Sequence, residues 1–153
     1  MGLDQWLLKR QDKEVAYFRK VNFLQRFIVE YVGMDNEGQE CILHMEHIEE
    51  LLSRCNYVIQ ILENAETITE EVEIGMAFKD GERIPQYGKQ VVFNDEAAKE
   101  VSELLPTQEG FFFGSTVIGE GYLEDVRDVK KVCEDILKNF DFEDALLVYH
   151  CWW

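Results

Sequence analysis

Two short stretches of this sequence carry residue types that could do chemistry. The first is Tyr17-Phe18-Arg19-Lys20-Val21-Asn22, where two cations and an amide fall at a predicted strand-to-helix junction. Backbone N–H groups at a helix start favour anions, and a guanidinium grips phosphate or carboxylate through two parallel hydrogen bonds. The second is Gly110-Phe111-Phe112-Phe113-Gly114-Ser115-Thr116. Three aromatics between glycines make a poor helix and predict a short strand. Gly114, Ser115 and Thr116 then add backbone freedom and two hydroxyls where that strand should stop. If the two stretches run side by side, one pocket combines Arg19 as anion clamp with Lys20, Asn22, a stacking face on Phe112, the hydroxyls of Ser115 and Thr116, and Tyr122. Such a pocket suits a nucleotide or another flat anionic ligand. The competing reading is that Arg19 and Lys20 only neutralise carboxylates nearby.

Other chemistry is thinly represented. His44 and His47 stand three apart beside Glu46, a spacing that could hold a metal ion. No Cys-x-x-Cys and no His-Glu-x-x-His accompanies them, so they read as exposed helix histidines and no metal site is expected. No phosphate loop occurs: the glycine pair Gly114 and Gly119 is followed by Glu120 instead of lysine. A Gly-x-Ser-x-Gly nucleophile elbow is also missing. An enzyme would have to use Asp4, Arg19, Ser115 and His150, with no nucleophile–base spacing among them. No catalytic residue and no cofactor are assigned, and binding without chemistry leads.

The chain has 153 residues with 31 acidic and 15 basic side chains, a net charge of −16. It is 46% apolar and 12% aromatic, too apolar for a disordered acidic tail and enough for one domain with a core. The negative field disfavours nucleic acid and anionic membrane and favours a basic partner surface. It reads either as ordinary solvated helix faces or as imitation of DNA phosphate charge, occupying a nucleic-acid-binding protein. No apolar run approaches the roughly 20 residues that span a bilayer. Asp4 near the start and the lack of a small-residue cleavage site predict no secretory leader. The Met-Gly opening lacks the Ser or Thr that a myristoylation signal has where Trp6 stands. Cys41, Cys55, Cys133 and Cys151 form no Cys-x-x-Cys pair, and free thiols in a reducing cytoplasm are expected.

The elements that must position these residues follow from periodicity. Residues 3–10 and 14–19 predict antiparallel strands. Asn22 is expected to cap a helix over 23–32 that ends at Gly33, followed by a polar turn over 34–41. An unbroken apolar stripe predicts a helix over 44–63. Residues 64–90 are the least regular: 67–78 could be a short strand, Asp80-Gly81 is a turn, and Pro85 and Gly88 should break any element, as in an insertion or mobile flap. A short strand over 90–93 precedes a helix capped by Asn94 or Asp95 and ending before Pro106. A loop over 117–121, a helix over 122–139, a turn over 141–144 and a strand over 145–152 complete the chain. The sum is a single α+β domain, a small mainly antiparallel sheet with three to four helices packed on one face.

Met1-Gly2-Leu3-Asp4-Gln5, Ala16 to Asn22, Leu105-Pro106 with Gly110 to Thr116 and Tyr122, and Tyr149 to Trp152 resemble a group of small phage and prophage proteins. Its members begin Met-Gly-Leu-Asp, carry an Arg-Lys-x-Asn segment and a Gly-Phe-Phe-Phe-Gly-Ser block, and end in aromatics. This chain departs from the pattern at Phe18, where Trp is expected, at Val21, where His is common, at His150-Cys151, and in its extra Trp153. The resemblance does not reach residues 34–104. It implies a phage or prophage accessory protein in the bacterial cytoplasm. The expected role is binding a host protein or a small anionic ligand, against host machinery or defence, with self-association left open. A DNA-mimic inhibitor and a small hydrolase or nucleotide-processing enzyme are the alternatives.

Overall fold

Alternating side chains place the first two strands where the sequence predicts them. In the computed structural model, which describes residues 2–10, 13–35, 39–110 and 113–153, β1 (Asp4–Lys9) and β2 (Lys13–Arg19) pair antiparallel. Two further strands, β3 (Glu40–Leu43) and β6 (Leu147–Trp152), complete a four-stranded antiparallel sheet in the order β2-β1-β6-β3. β3 falls partly in the stretch expected to be a polar turn, since four residues are too few to show a period.

One face of the sheet presents Gln5, Leu7, Phe18, Leu147, Tyr149 and Cys151, all buried. The helices share a core with it. α1 (Asn22–Phe27) runs on into a π-helical turn, Ile28–Val32, that Gly33 closes in the left-handed region at φ 97°. Asn22 is the first helical residue and not the expected cap: the cap position is Val21, without a side-chain bond, because the Asn22 amide is engaged elsewhere. α2 (Met45–Glu63) buries Ile48, Leu51, Cys55, Val58, Ile59 and Leu62, the predicted stripe. α3 (Asp95–Leu104) is capped by Asn94, whose Oδ1 accepts from the Ala97 N–H at 2.9 Å. α4 (Glu120–Asn139) packs along α2 through Val126, Val129, Cys133 and Ile136. Each fully buried Leu, Ile or Val contributes about 1.5–3 kcal/mol. The result is the predicted α+β class.

Residues 64–90 differ from expectation. β4 (Thr67–Lys79) and β5 (Glu82–Phe93) form one long two-stranded ribbon. Asp80 and Gly81 close it with φ of 53° and 79°, the doubly left-handed turn that suits a tight hairpin. Pro85 and Gly88 do not break it. Both strands of a two-stranded ribbon are edges, where a missing N–H or side chain is tolerated. The ribbon is tied to the body at its base, where Asn94 N and Nδ2 both donate to Glu66 O, at 3.0 and 2.9 Å. Phe93 N donates to Ile118 O at 3.0 Å.

The phenylalanine-rich segment is not a strand in its described residues. Phe113 N donates to Gly110 O at 3.1 Å, a turn that lays the Phe113 ring over Gly110, where a Cβ would stand 2.7 Å from the ring. Phe111 and Phe112 lie outside the described residues. Among the described residues no helix is long and apolar enough to cross a membrane.

Candidate functional site

β2 ends at Arg19, and the chain must turn sharply into α1. Lys20 makes that turn at φ 57°, donating its N–H to Leu3 O at 2.6 Å. A left-handed residue with a Cβ costs about 1 kcal/mol, so the surroundings must hold it there. Gln5 does so from beneath. It is wholly buried at 0% exposure. Its Oε1 accepts from Val21 N at 2.9 Å and its Nε2 donates to Val21 O at 3.0 Å. The same Nε2 donates to the Tyr149 hydroxyl at 3.0 Å, which in turn donates to Gln25 Oε1 at 2.5 Å. A neutral buried network thus locks the junction to the sheet.

Asn22 carries the junction to the second stretch. Its Nδ2 donates to Phe113 O at 3.1 Å and Ser115 O at 2.9 Å, and its Oδ1 accepts from Gln108 N at 3.2 Å. Both amide hydrogens are spent on the loop, so Asn22 shapes the site instead of offering a free donor. Gly114, at φ 86°, lets the loop come against the junction: a Cβ there would lie 3.1 Å from Lys20 Cβ.

The two stretches therefore meet, and α4 closes the third side. Between them is a cleft of about 510 Å³ lined by Arg19, Lys20, Asn22, Gly114, Ser115 and Tyr122, with residues of α4 and β5. Thr116 lies in the loop but not in this lining, and its carbonyl accepts from the Thr107 hydroxyl at 3.1 Å. Phe112 is outside the described residues, so its expected stacking role has no structural account. The Ser115 hydroxyl accepts from Val117 N at 3.1 Å. Tyr122 donates its hydroxyl to Leu105 O at 2.8 Å, and burial raises its pKa above the usual phenol range. It offers the cleft a ring wall, edge-on to Phe23 at 5.6 Å, and no free hydroxyl.

The charges are distributed by element. Among the described residues neither Arg19 nor Lys20 forms an ion pair, whereas Arg26, Arg54 and Arg127 each do. Arg127 reaches Glu120 at 3.6 Å and Glu63 at 3.4 Å. Glu120, Glu124 and Asp125 line the cleft from the first turns of α4, whose cap residue Gly119 supplies no side-chain bond. Burial first, then the charges of Asp128 and Glu124, push the Asp125 carboxyl up to about 6. Spacing hid this wall, although Asp125 stands one helical turn after Tyr122 and Gly121, on the same side of α4. Gln5 was readable only as an inward β1 position between Leu3 and Leu7.

The residues of the enzyme reading are only partly assembled: Arg19 and Ser115 share the cleft and Asp4 stands opposite Arg19 in the β1–β2 register, but His150 is apart. His150 lines a separate hollow with Trp6, Leu8, Glu14 and Glu40, and Asp4 accepts from the Tyr17 hydroxyl at 2.5 Å. His44 and His47 sit at the start of α2, His47 Nδ1 accepting from His44 N at 3.0 Å. Among the described residues no group of three or more His, Cys, Asp or Glu could hold a metal ion. The four cysteines are free thiols.

Fold and cleft together define a small two-layer α+β protein with a mixed-charge cleft at a strand-to-helix junction. No family model, curated protein or solved structure matches the chain.

Proposed function

We propose that this protein is a non-catalytic binder whose cleft takes a small anionic ligand of nucleotide size. One observation carries the reading: in a chain of net charge −16, Arg19 and Lys20 face a common cleft with no carboxylate paired to either among the described residues. Unpaired cations are common on this surface among the described residues, and what sets these two apart is that they share one cleft. Here a left-handed backbone, a buried glutamine and an asparagine staple fix the main chain that carries them, which limits how far the cleft must reorganise around an anion. The volume is in the range of small-molecule sites. Chemistry is not favoured, because Ser115, the nucleophile candidate of the cleft, does not share it with His150.

The setting we infer rests on the resemblance to small phage and prophage proteins. A cytoplasmic accessory protein that sequesters a nucleotide-like ligand would act against host machinery or defence without turnover. Native mass spectrometry and calorimetry with a nucleotide mixture test the reading. Arg19→Ala should weaken retention by roughly ten- to a hundred-fold, the effect of losing one charge-assisted contact, with an unchanged melting temperature. Retention equal to wild type rejects the anion clamp. Recovery of chemically altered nucleotide rejects binding without chemistry.

A further inference from the structure

We infer that the ligand is a mononucleotide whose base bears an exocyclic amine, its phosphate held by Arg19 and Lys20 and its amine received by Glu124 and Asp125. The inference deepens the anion-binding reading and rests on it.

The cleft is not a plain anion site. The β2–α1 junction brings two cations, and α4 brings Glu120, Glu124 and Asp125 to the same space. Arg127 is the partner of Glu120, while Glu124 and Asp125 have no ion pair among the described residues. Positive and negative groups thus share one cavity without pairing. A simple dianion would gain at Arg19 and be repelled along α4. A ligand that is anionic at one end and donates N–H groups at the other suits both walls. An ionised carboxylate can only accept hydrogen bonds, and an exocyclic amine is a pure donor at the base edge.

Two further observations narrow the class. The volume of about 510 Å³ leaves room beyond a phosphate group for a sugar and a base. The same lining includes Gln90 and Val91 of β5 and Val117, with Val91 exposed at 59%. Two aliphatic side chains offer faces to a flat ring, and the Gln90 amide can both donate and accept at its edge. Asp125 is already half-buried and crowded by Glu124 and Asp128, so a donor from the ligand relieves a carboxylate that the free protein holds at a cost.

The experiment is calorimetric titration with two matched pairs, CMP against UMP and AMP against IMP, with inorganic phosphate as a fifth probe. Each pair keeps the sugar and phosphate and exchanges the amine for a carbonyl. Wild type should prefer CMP and AMP by about ten-fold or more, because a site built for a donor leaves its acceptors unpaired against the analogue. Asp125→Asn, which can donate to a carbonyl, should cut that preference several-fold at an unchanged fold, judged by thermal melting. Glu124→Gln is the second variant should Asp125→Asn melt early. Equal affinities within both pairs, together with loss of all binding in Arg19→Ala, overturn the inference and leave the anion reading standing. Failure of all four nucleotides to bind overturns both.

Discussion

The two surfaces that the sheet leaves open are built from opposite materials. The cleft is held by backbone strain and amide staples, and its lining is charged and polar: Lys20 in the left-handed region, Gln5 gripping Val21, Asn22 gripping the loop. The uncovered sheet face follows from simple alternation and sets aromatic and aliphatic side chains among a few charged ones, Asp4, Glu14, Arg19 and Glu40. Trp6 stands between Tyr17 and His150, at ring separations of 5.6 and 5.4 Å, with Leu8, Val148, Ile42 and Trp152 on the same side. A solvated antiparallel face usually turns polar. Geometry at the cleft depends on a few irreplaceable bonds, whereas the face spreads its interactions over many equivalent side chains. Substitutions should therefore cost far more behind the cleft than on the face.

The largest expected effect is Gln5→Leu. It strands the Val21 N–H and C=O in a buried site and leaves the Tyr149 hydroxyl with its bond to Gln25, at roughly 3 kcal/mol in total. Thermal melting should fall by roughly 6–12 °C, and nucleotide binding should fall with it. Asn22→Leu comes next, at about 2 kcal/mol for three lost bonds to the loop, with binding lost even where the fold persists. A Gln5→Leu protein as stable as wild type would erase the contrast between the two surfaces.

Asp125→Asn tests the charge in the cleft through pH. An ordinary Asp carboxyl loses its proton near 3.8, whereas this one keeps it to about 6. The folded protein then binds more protons than the unfolded chain between those values, so stability falls as pH rises through that window and stays lower above it. Solvent screening of a half-exposed group holds the effect to about 1 kcal/mol. Asp125→Asn should flatten the melting profile over pH 4–8 and raise the neutral-pH melting temperature by roughly 2–4 °C. A steeper profile in the variant would reverse the assignment. The smallest effect belongs to Trp152→Ser on the open face, within about 0.5 kcal/mol by urea unfolding, with solubility as the more sensitive readout.

Legibility in the sequence followed the same division. α2 and α4 were readable because long apolar stripes record which way a helix faces, as Ile48 to Leu62 and Tyr122 to Ile136 do. The pairing of β1 with β2 was readable from a short turn between alternating runs. β3 was not, being four residues without a period. The ribbon was hidden because Pro85 and Gly88 are poor strand residues only where a strand has neighbours on both sides. Arg19, Lys20, Asn22 and Ser115 were singled out by residue type, and their meeting depends on bonds across 91 and 93 positions of chain that no local pattern encodes. The acidic wall was lost among 31 carboxylates, only a few of which face the cleft.

The ribbon and the cleft share one piece of backbone. The ribbon's strands run for 13 and 12 residues, a reach of about 40 Å at the usual rise. Its base is the pinned pair Val92 and Phe93, bridged and bonded to Gly119 and Ile118. Gln90 and Val91, just beyond that pair, are part of the cleft wall. A shift of the ribbon's base at Val92 and Phe93 would therefore be felt in the cleft wall at Gln90 and Val91.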